Sequence, residues 1–155
     1  MKRAVLTALA AAVFCVAASA QHLALGERTP KIKTQQWLDG IVPQPTEYTY
    51  IEFVRSTTQP CIESFLKIKE HITDRDIPLG VIFIVCDEPS QTYPRLRECL
   101  GGNVGALIDD TGRIFNDFGV RYVPFGVVVD RKRRALWFGN PLTVDDDFFG
   151  KLTHR

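Results

Sequence analysis

Residues 79–85 read Leu-Gly-Val-Ile-Phe-Ile-Val, an almost unbroken apolar run. A strand with one wet face alternates apolar and polar residues; this run does not, so it predicts a strand buried on both faces, as in a parallel sheet. Parallel neighbours need long crossovers, usually helical and right-handed. The sequence before the run supplies both partners. Tyr48 to Val54, "YTYIEFV", is β-branched and aromatic, and predicts a strand. Residues from about Pro60 to Ile72 predict a helix, with Cys61, Phe65, Ile68 and Ile72 on one face. A second helix is expected from about Tyr93 to Leu100, closed by Gly101-Gly102. "GALIDDTG" then predicts a short strand and a turn, and "YVPFGVVVD" with "RALWFGN" an antiparallel hairpin. Thr143 is expected to cap a last helix, with Asp145 to Asp147 in its first turn. Residues 25–45 predict an irregular arm with a short strand. The sum is a small α/β sandwich with a mixed sheet.

The first twenty residues are set apart from that pattern. Lys2 and Arg3 precede the apolar run Ala4 to Val16, and Ala18-Ser19-Ala20 forms an A-x-A cleavage pattern. This predicts a secretory signal peptide cleaved after Ala20, with residues 21–155 as a single domain exported to a periplasm or secreted. Bulky Phe14 before Cys15 argues against a lipoprotein signal. The 155-residue chain is 45% hydrophobic, enough for a real core. Cleavage removes two of 19 basic residues and none of 18 acidic ones, leaving a charge near −1. That balance gives no reason to expect nucleic acid or a membrane surface as partner, and the mature chain has no membrane span. The basic run Arg131 to Arg134, between two strand-like segments, predicts a solvated hairpin turn.

Export bears on the cysteines. Cys61, Cys86 and Cys99 remain after cleavage, so at least one thiol is free or pairs externally. His22, His71 and His154 are scattered and no Cys/His pair has ligand spacing, so neither a metal nor another cofactor is expected.

Three stretches, in order, resemble the exported thiol-disulfide oxidoreductases of the TlpA/ResA type, within the thioredoxin-like superfamily. Leu25-Gly26-Glu27 to Pro30 matches the opening arm; "IEFVRSTTQPC" lies over the strand and redox loop; "GRIFNDFGVRYVPFGVVVDRKRRALWFG" lies over the later part of the domain. The resemblance implies a three-layer sandwich about a mixed central sheet. It places Cys61 on the second, more buried cysteine of the C-x-P-C motif, and Pro60 on its proline. Thr58 stands where the family has the attacking cysteine, so the motif is degenerate and the ordinary dithiol cycle is excluded. Pro124, after Val123, falls on the cis-proline that lines the substrate groove, and Phe125 follows where a smaller residue is usual. Glu52 falls on the acid kept beneath the redox loop.

Each of these residues also has a plainer reading. Cys61 in a helix's first turn is placed to favour a thiolate, or is a buried remnant. Thr58 can cap the helix through the N–H of Cys61, or donate to its sulfur. Glu52 either lies buried in a central strand or faces water between inward Ile51 and Phe53. Cys86 ends its strand on the edge where parallel strands carry ligands, and can serve as a resolving thiol, sit buried, or bridge to Cys99. The expected partners are protein or small-molecule thiols and disulfides. The leading expectation is mixed-disulfide exchange or isomerisation through Cys61. Thr58-Gln59-Pro60-Cys61 also resembles the T-x-x-C of peroxiredoxins, which implies a peroxidase as an alternative, and the missing cysteine supports a non-catalytic binding module. Whether the protein is an enzyme stays open at this point, as does its oligomeric state.

Overall fold

The computed structural model describes residues 23–33, 36–74, 78–88 and 94–153. The expected signal peptide with its cleavage point after Ala20, the packing of the Ile72 side chain, and a helix start at Tyr93 lie outside the described residues. Five strands form one sheet: β1 (Tyr48–Val54), β2 (Leu79–Val85), β3 (Val104–Ile108), β4 (Phe125–Asp130) and β5 (Ala135–Gly139). Their order is β3-β2-β1-β4-β5. β1 pairs parallel with β2, and β2 with β3; β4 is antiparallel to both β1 and β5. Helix α1 (Gln59–Asp74) makes the β1–β2 crossover, α2 (Arg113–Asp117) precedes β4, and α3 (Phe148–Thr153) ends the fold.

The apolar run at 79–85 is indeed a parallel inner strand, buried on both faces. β1 is central, so every residue from Tyr50 to Val54 is buried. Its alternation sorts the two cores. Tyr50 and Val54 share a cluster with Cys61 and Ile68 of α1 and Phe149 of α3. Ile51 and Phe53 pack on the other side with Ile114 and Phe118. Helix α1 turns Cys61, Ser64 and Ile68 inward, spaced for one helical face.

The sheet's two edges are covered by the arm. Gly26 N–H donates to Ala135 O at 2.8 Å and Thr29 N–H to Arg133 O at 2.8 Å, alongside β5. Gln36 O accepts from Ile108 N–H at 3.1 Å, alongside β3. Covered edges do not recruit foreign strands. The 131–134 turn is closed by Asp130, whose carboxylate accepts the N–H groups of Lys132 and Arg134 at 2.9 and 2.8 Å, and Arg133 takes a left-handed φ of 61°.

One local expectation is met in part and another fails. Residues 94–96 are helical, as expected, and the helix expected up to Leu100 tightens into a 3-10 turn at Arg97–Cys99. Gly101 and Gly102, both at positive φ, then send the chain directly into β3. Thr143 does not cap the last helix. Pro141 opens a 3-10 turn first, in which the Thr143 hydroxyl donates to Asn140 O at 2.8 Å. α3 begins at Phe148, behind Asp145, which accepts Asp147 N–H at 3.1 Å and the Lys151 ammonium at 3.0 Å.

Gly126 shows how tightly the sheet is filled. A Cβ there would sit 2.7 Å from Tyr50 Cε2 and Oη and 2.9 Å from Trp137 Cζ3. Gly126→Ala is therefore expected to lose about 1–3 kcal/mol by overpacking, read as a lower urea midpoint at constant slope. An unchanged midpoint would mean that the Tyr50 ring gives way freely.

Candidate functional site

The C-terminal ends of β1 and β2 gather the residues singled out in the sequence. Cys61 is the third residue of α1, behind Pro60, a position where proline's missing N–H costs the helix nothing. Its side chain is 2% exposed. Arg55 N–H donates to Cys61 Sγ at 3.4 Å. The Thr58 hydroxyl donates to Arg55 O at 3.3 Å, so it braces the loop and does not accept from Cys61 N–H as a cap would. Burial is the strongest influence on the thiol and raises its pKa; the Thr58 hydroxyl and Arg55 N–H pull it down, while the charges of Glu52 and Asp87 push it up. The net direction is up. Burial thus outweighs the helix start, and Cys61 is a protonated thiol at neutral pH.

Glu52 does not face water: it is fully buried on the α1 side of β1. Both faces of a central strand are covered, so alternation gave no wet side to take. Burial pushes its pKa to about 7, against smaller opposing effects of Ser64 and Tyr50. The Tyr50 phenol is itself pushed up, by burial first and then by Glu52. None of the oxygens of Tyr50, Glu52 and Ser64 meets hydrogen-bond geometry, although both hydroxyls lie near enough to favour the carboxylate. Burial outweighs these loose contacts. Glu52 is then a neutral acid below pH 7, coupled electrostatically to Cys61.

Pairing of Phe53 with Phe125 sets Pro124 across from Val54, on the same edge as the Cys61 loop. The Val123–Pro124 peptide is cis. Pro124 and Phe125 are buried and Val123 half-buried, while Tyr122 is exposed and edge-on to Phe125 at 5.4 Å. Ser56 Oγ donates to Asp87 Oδ2 at 2.8 Å, with Ser56 N–H on the same oxygen, tying the loop after β1 to the loop after β2.

Cys86 stands one residue beyond β2. Phe83 and Val85 pack with the α1 cluster and Ile84 with the other. Cys86 continues the phase of Ile84, away from Cys61. Its thiol is raised by burial, with Arg55 pulling it down. Cys61, Cys86 and Cys99 are all free thiols, so the bridge that Cys86 and Cys99 could have made is not formed.

A pocket of about 250 Å³ opens between α1 and residues 94–98, with Cys61 in its wall. Its other residues were not anticipated from sequence. One signal was present: Ile62 and Leu66, four apart on α1, are apolar off the buried stripe, and Leu66 is 52% exposed.

No family model matches the chain, and no curated protein sequence matches it. Solved structures do. The thioredoxin domain of a thiol-disulfide oxidoreductase from Bacteroides vulgatus is 17% identical, with TM-score 0.63 over 84% of this chain and 96% of that one. Peroxidoxin BcpB from Mycobacterium tuberculosis is 14% identical, with TM-score 0.66 over 86% and 96%. A secreted disulfide oxidoreductase of M. tuberculosis, homologous to E. coli DsbE, is 14% identical, with TM-score 0.57 over 70% and 82%. The fold is thioredoxin-like.

In this thioredoxin-like fold the loop from β1 to α1 and the cis peptide before β4 share one sheet edge. This edge carries one thiol, Cys61, the hydroxyl of Thr58 three residues before it, and the buried acid Glu52. Such a set can form a mixed disulfide but no internal one at positions 58 and 61.

Proposed function

We propose that this is an exported thioredoxin-like protein of the TlpA/ResA type, acting in thiol-disulfide exchange through a single thiol, Cys61. The observation that carries the reading is a lone sulfur at the start of α1 that accepts Arg55 N–H, lines a pocket, and stands over a buried acid with a pKa of about 7. In the exchange, Cys61 gives its proton to the ionised form of Glu52, present at and above about pH 7, and the thiolate attacks a disulfide RS–SR′. The Cys61–SR bond forms and R′S⁻ leaves; an outside thiolate R″S⁻ then attacks the sulfur of the bound SR group, forming RS–SR″ and returning the Cys61 thiolate. The cycle consumes no electrons, so it isomerises or exchanges disulfides and does not reduce them. Pro124, with Val123 and Phe125 beside it, would shape one wall for the incoming disulfide. Cys86 is poorly placed to resolve it, since its strand phase points away. Export is supported by the basic and apolar N-terminal residues with their A-x-A pattern and by the secreted neighbour.

The burial of the same sulfur favours a second reading, a thioredoxin-like binding module without exchange. The peroxidase reading has a peroxidoxin among its structural neighbours, but Thr58 spends its hydroxyl on Arg55 O. Alkylation by iodoacetamide, followed against pH and located by mass spectrometry, separates exchange from binding. Exchange predicts that Cys61 reacts in the folded protein at a rate still rising above the ordinary cysteine pKa, in keeping with its upward shift. It also predicts a one-to-one adduct with glutathione disulfide that Cys61→Ser abolishes. A Cys61 that stays unmodified until the protein unfolds sinks the exchange reading and leaves the binding module.

A further inference from the structure

The pocket beside Cys61 does not extend to the cis-proline. Neither Val123, Pro124 nor Phe125 lines it. Its walls are Phe65 and Leu66 of α1, Phe83 of β2 and Leu96, all apolar. At about 250 Å³ it lies just under the roughly 300–1,000 Å³ of most small-molecule sites, too small for a folded surface loop and sufficient for a short chain. The charged residues around this apolar floor are unbalanced. Arg55, Lys69 and Arg95 face a single acid, Glu98. Glu98 pairs with Lys69 at 3.3 Å, and neither Arg55 nor Arg95 makes an ion pair among the described residues. Two arginines at the border of an apolar floor suit an organic anion, because a guanidinium can take a carboxylate through two N–H donors while the chain escapes water below.

We propose that this pocket binds a small amphipathic carboxylate, its apolar body on Phe65, Phe83 and Leu96 and its head group against Arg55 and Arg95. Such an occupant lies over Cys61 Sγ, and so ranks the thiols and disulfides that reach it: those with a short apolar body and a negative charge fit, cationic ones do not. This ranking rests on the exchange reading above, whereas the binding itself does not need a reactive sulfur.

The test is calorimetric titration of the purified protein with sodium octanoate, beside octylamine, which is a cation at pH 7. The expected result is one-to-one binding of octanoate, about tenfold or more tighter than octylamine, as loss of charge-assisted contacts implies. Leu66→Glu and the double change Arg55→Glu, Arg95→Glu, all at exposed positions, should each weaken it by about tenfold or more. Arg131→Glu, at an exposed position outside the pocket, should leave it intact. No saturable binding, equal binding of octylamine, or binding indifferent to both sets of changes overturns the proposal. The two ideas fail separately: octanoate binding with an inert Cys61 sinks exchange alone, and an alkylatable Cys61 without octanoate binding sinks this pocket assignment alone.

Discussion

Glu52→Gln is expected to remove a pH dependence of stability that the native protein shows between pH 4.5 and 7. In the unfolded chain Glu52 titrates near its ordinary value of 4.5; folded, it titrates at about 7. Between those limits the folded state keeps a proton that the unfolded state has released. The stability it contributes is therefore complete below pH 4.5, declines as pH rises toward 7, and is flat above. At about 1.4 kcal/mol for each pH unit, the whole gap amounts to about 3.5 kcal/mol. Urea unfolding of both proteins at pH 5 and pH 8 isolates most of the effect, because groups not coupled to Glu52 cancel in the difference. The glutamine variant should gain on the native protein by about 2.5 kcal/mol on going from pH 5 to pH 8. A constant difference across that range would mean that Tyr50 and Ser64 hold the carboxylate charged down to its ordinary range, against the upward shift that burial gives it.

Phe53→Ala is expected to lose about 3–5 kcal/mol. Phe53 is fully buried and lies on the side of β1 away from Cys61. Its ring meets those of Phe115 and Phe118 at 5.1 Å and Phe125 at 6.3 Å, in edge-on and tilted arrangements. Truncation removes the transfer free energy of the ring and leaves a cavity between three aromatic walls that cannot all close in. Tyr122→Ala is the control, since Tyr122 is 52% exposed and should change stability by less than about 0.5 kcal/mol. Under conditions where the Phe53→Ala variant remains folded, its Cys61 alkylation should match the native rate, because the two cores lie on opposite faces of the sheet. A loss under about 1 kcal/mol would mark this face as loosely packed.

Much of the fold was legible because its signals are local. The apolar run of β2, the aromatic and β-branched β1, and the one-faced stripe of α1 each declare an element without knowledge of its neighbours. The expected helix over residues 93–100 is helical at 94–96 and tightens into a 3-10 turn at Arg97–Cys99, just before the two glycines that lead into β3. The Thr143 cap failed because Pro141 starts its own turn upstream. Both departures lie at element ends, where competing turns differ by single hydrogen bonds.

The site divides along the same line. Sequence alone placed Cys61 and Pro60 in the first turn of a helix, Thr58 three residues before the sulfur, and Pro124 at the start of a strand, since each of these is a matter of spacing along the chain. It left Glu52 undecided, because alternation assigns a face but not which face is wet; helices packed on both faces of the sheet removed both wet options. Nor could it set the state of Cys61. The helix start favours a thiolate, but the charge is opposed by desolvation among residues from α1, β2 and the 94–98 segment. Desolvation depends on what surrounds a group in space, and those neighbours lie up to 37 positions away in the chain.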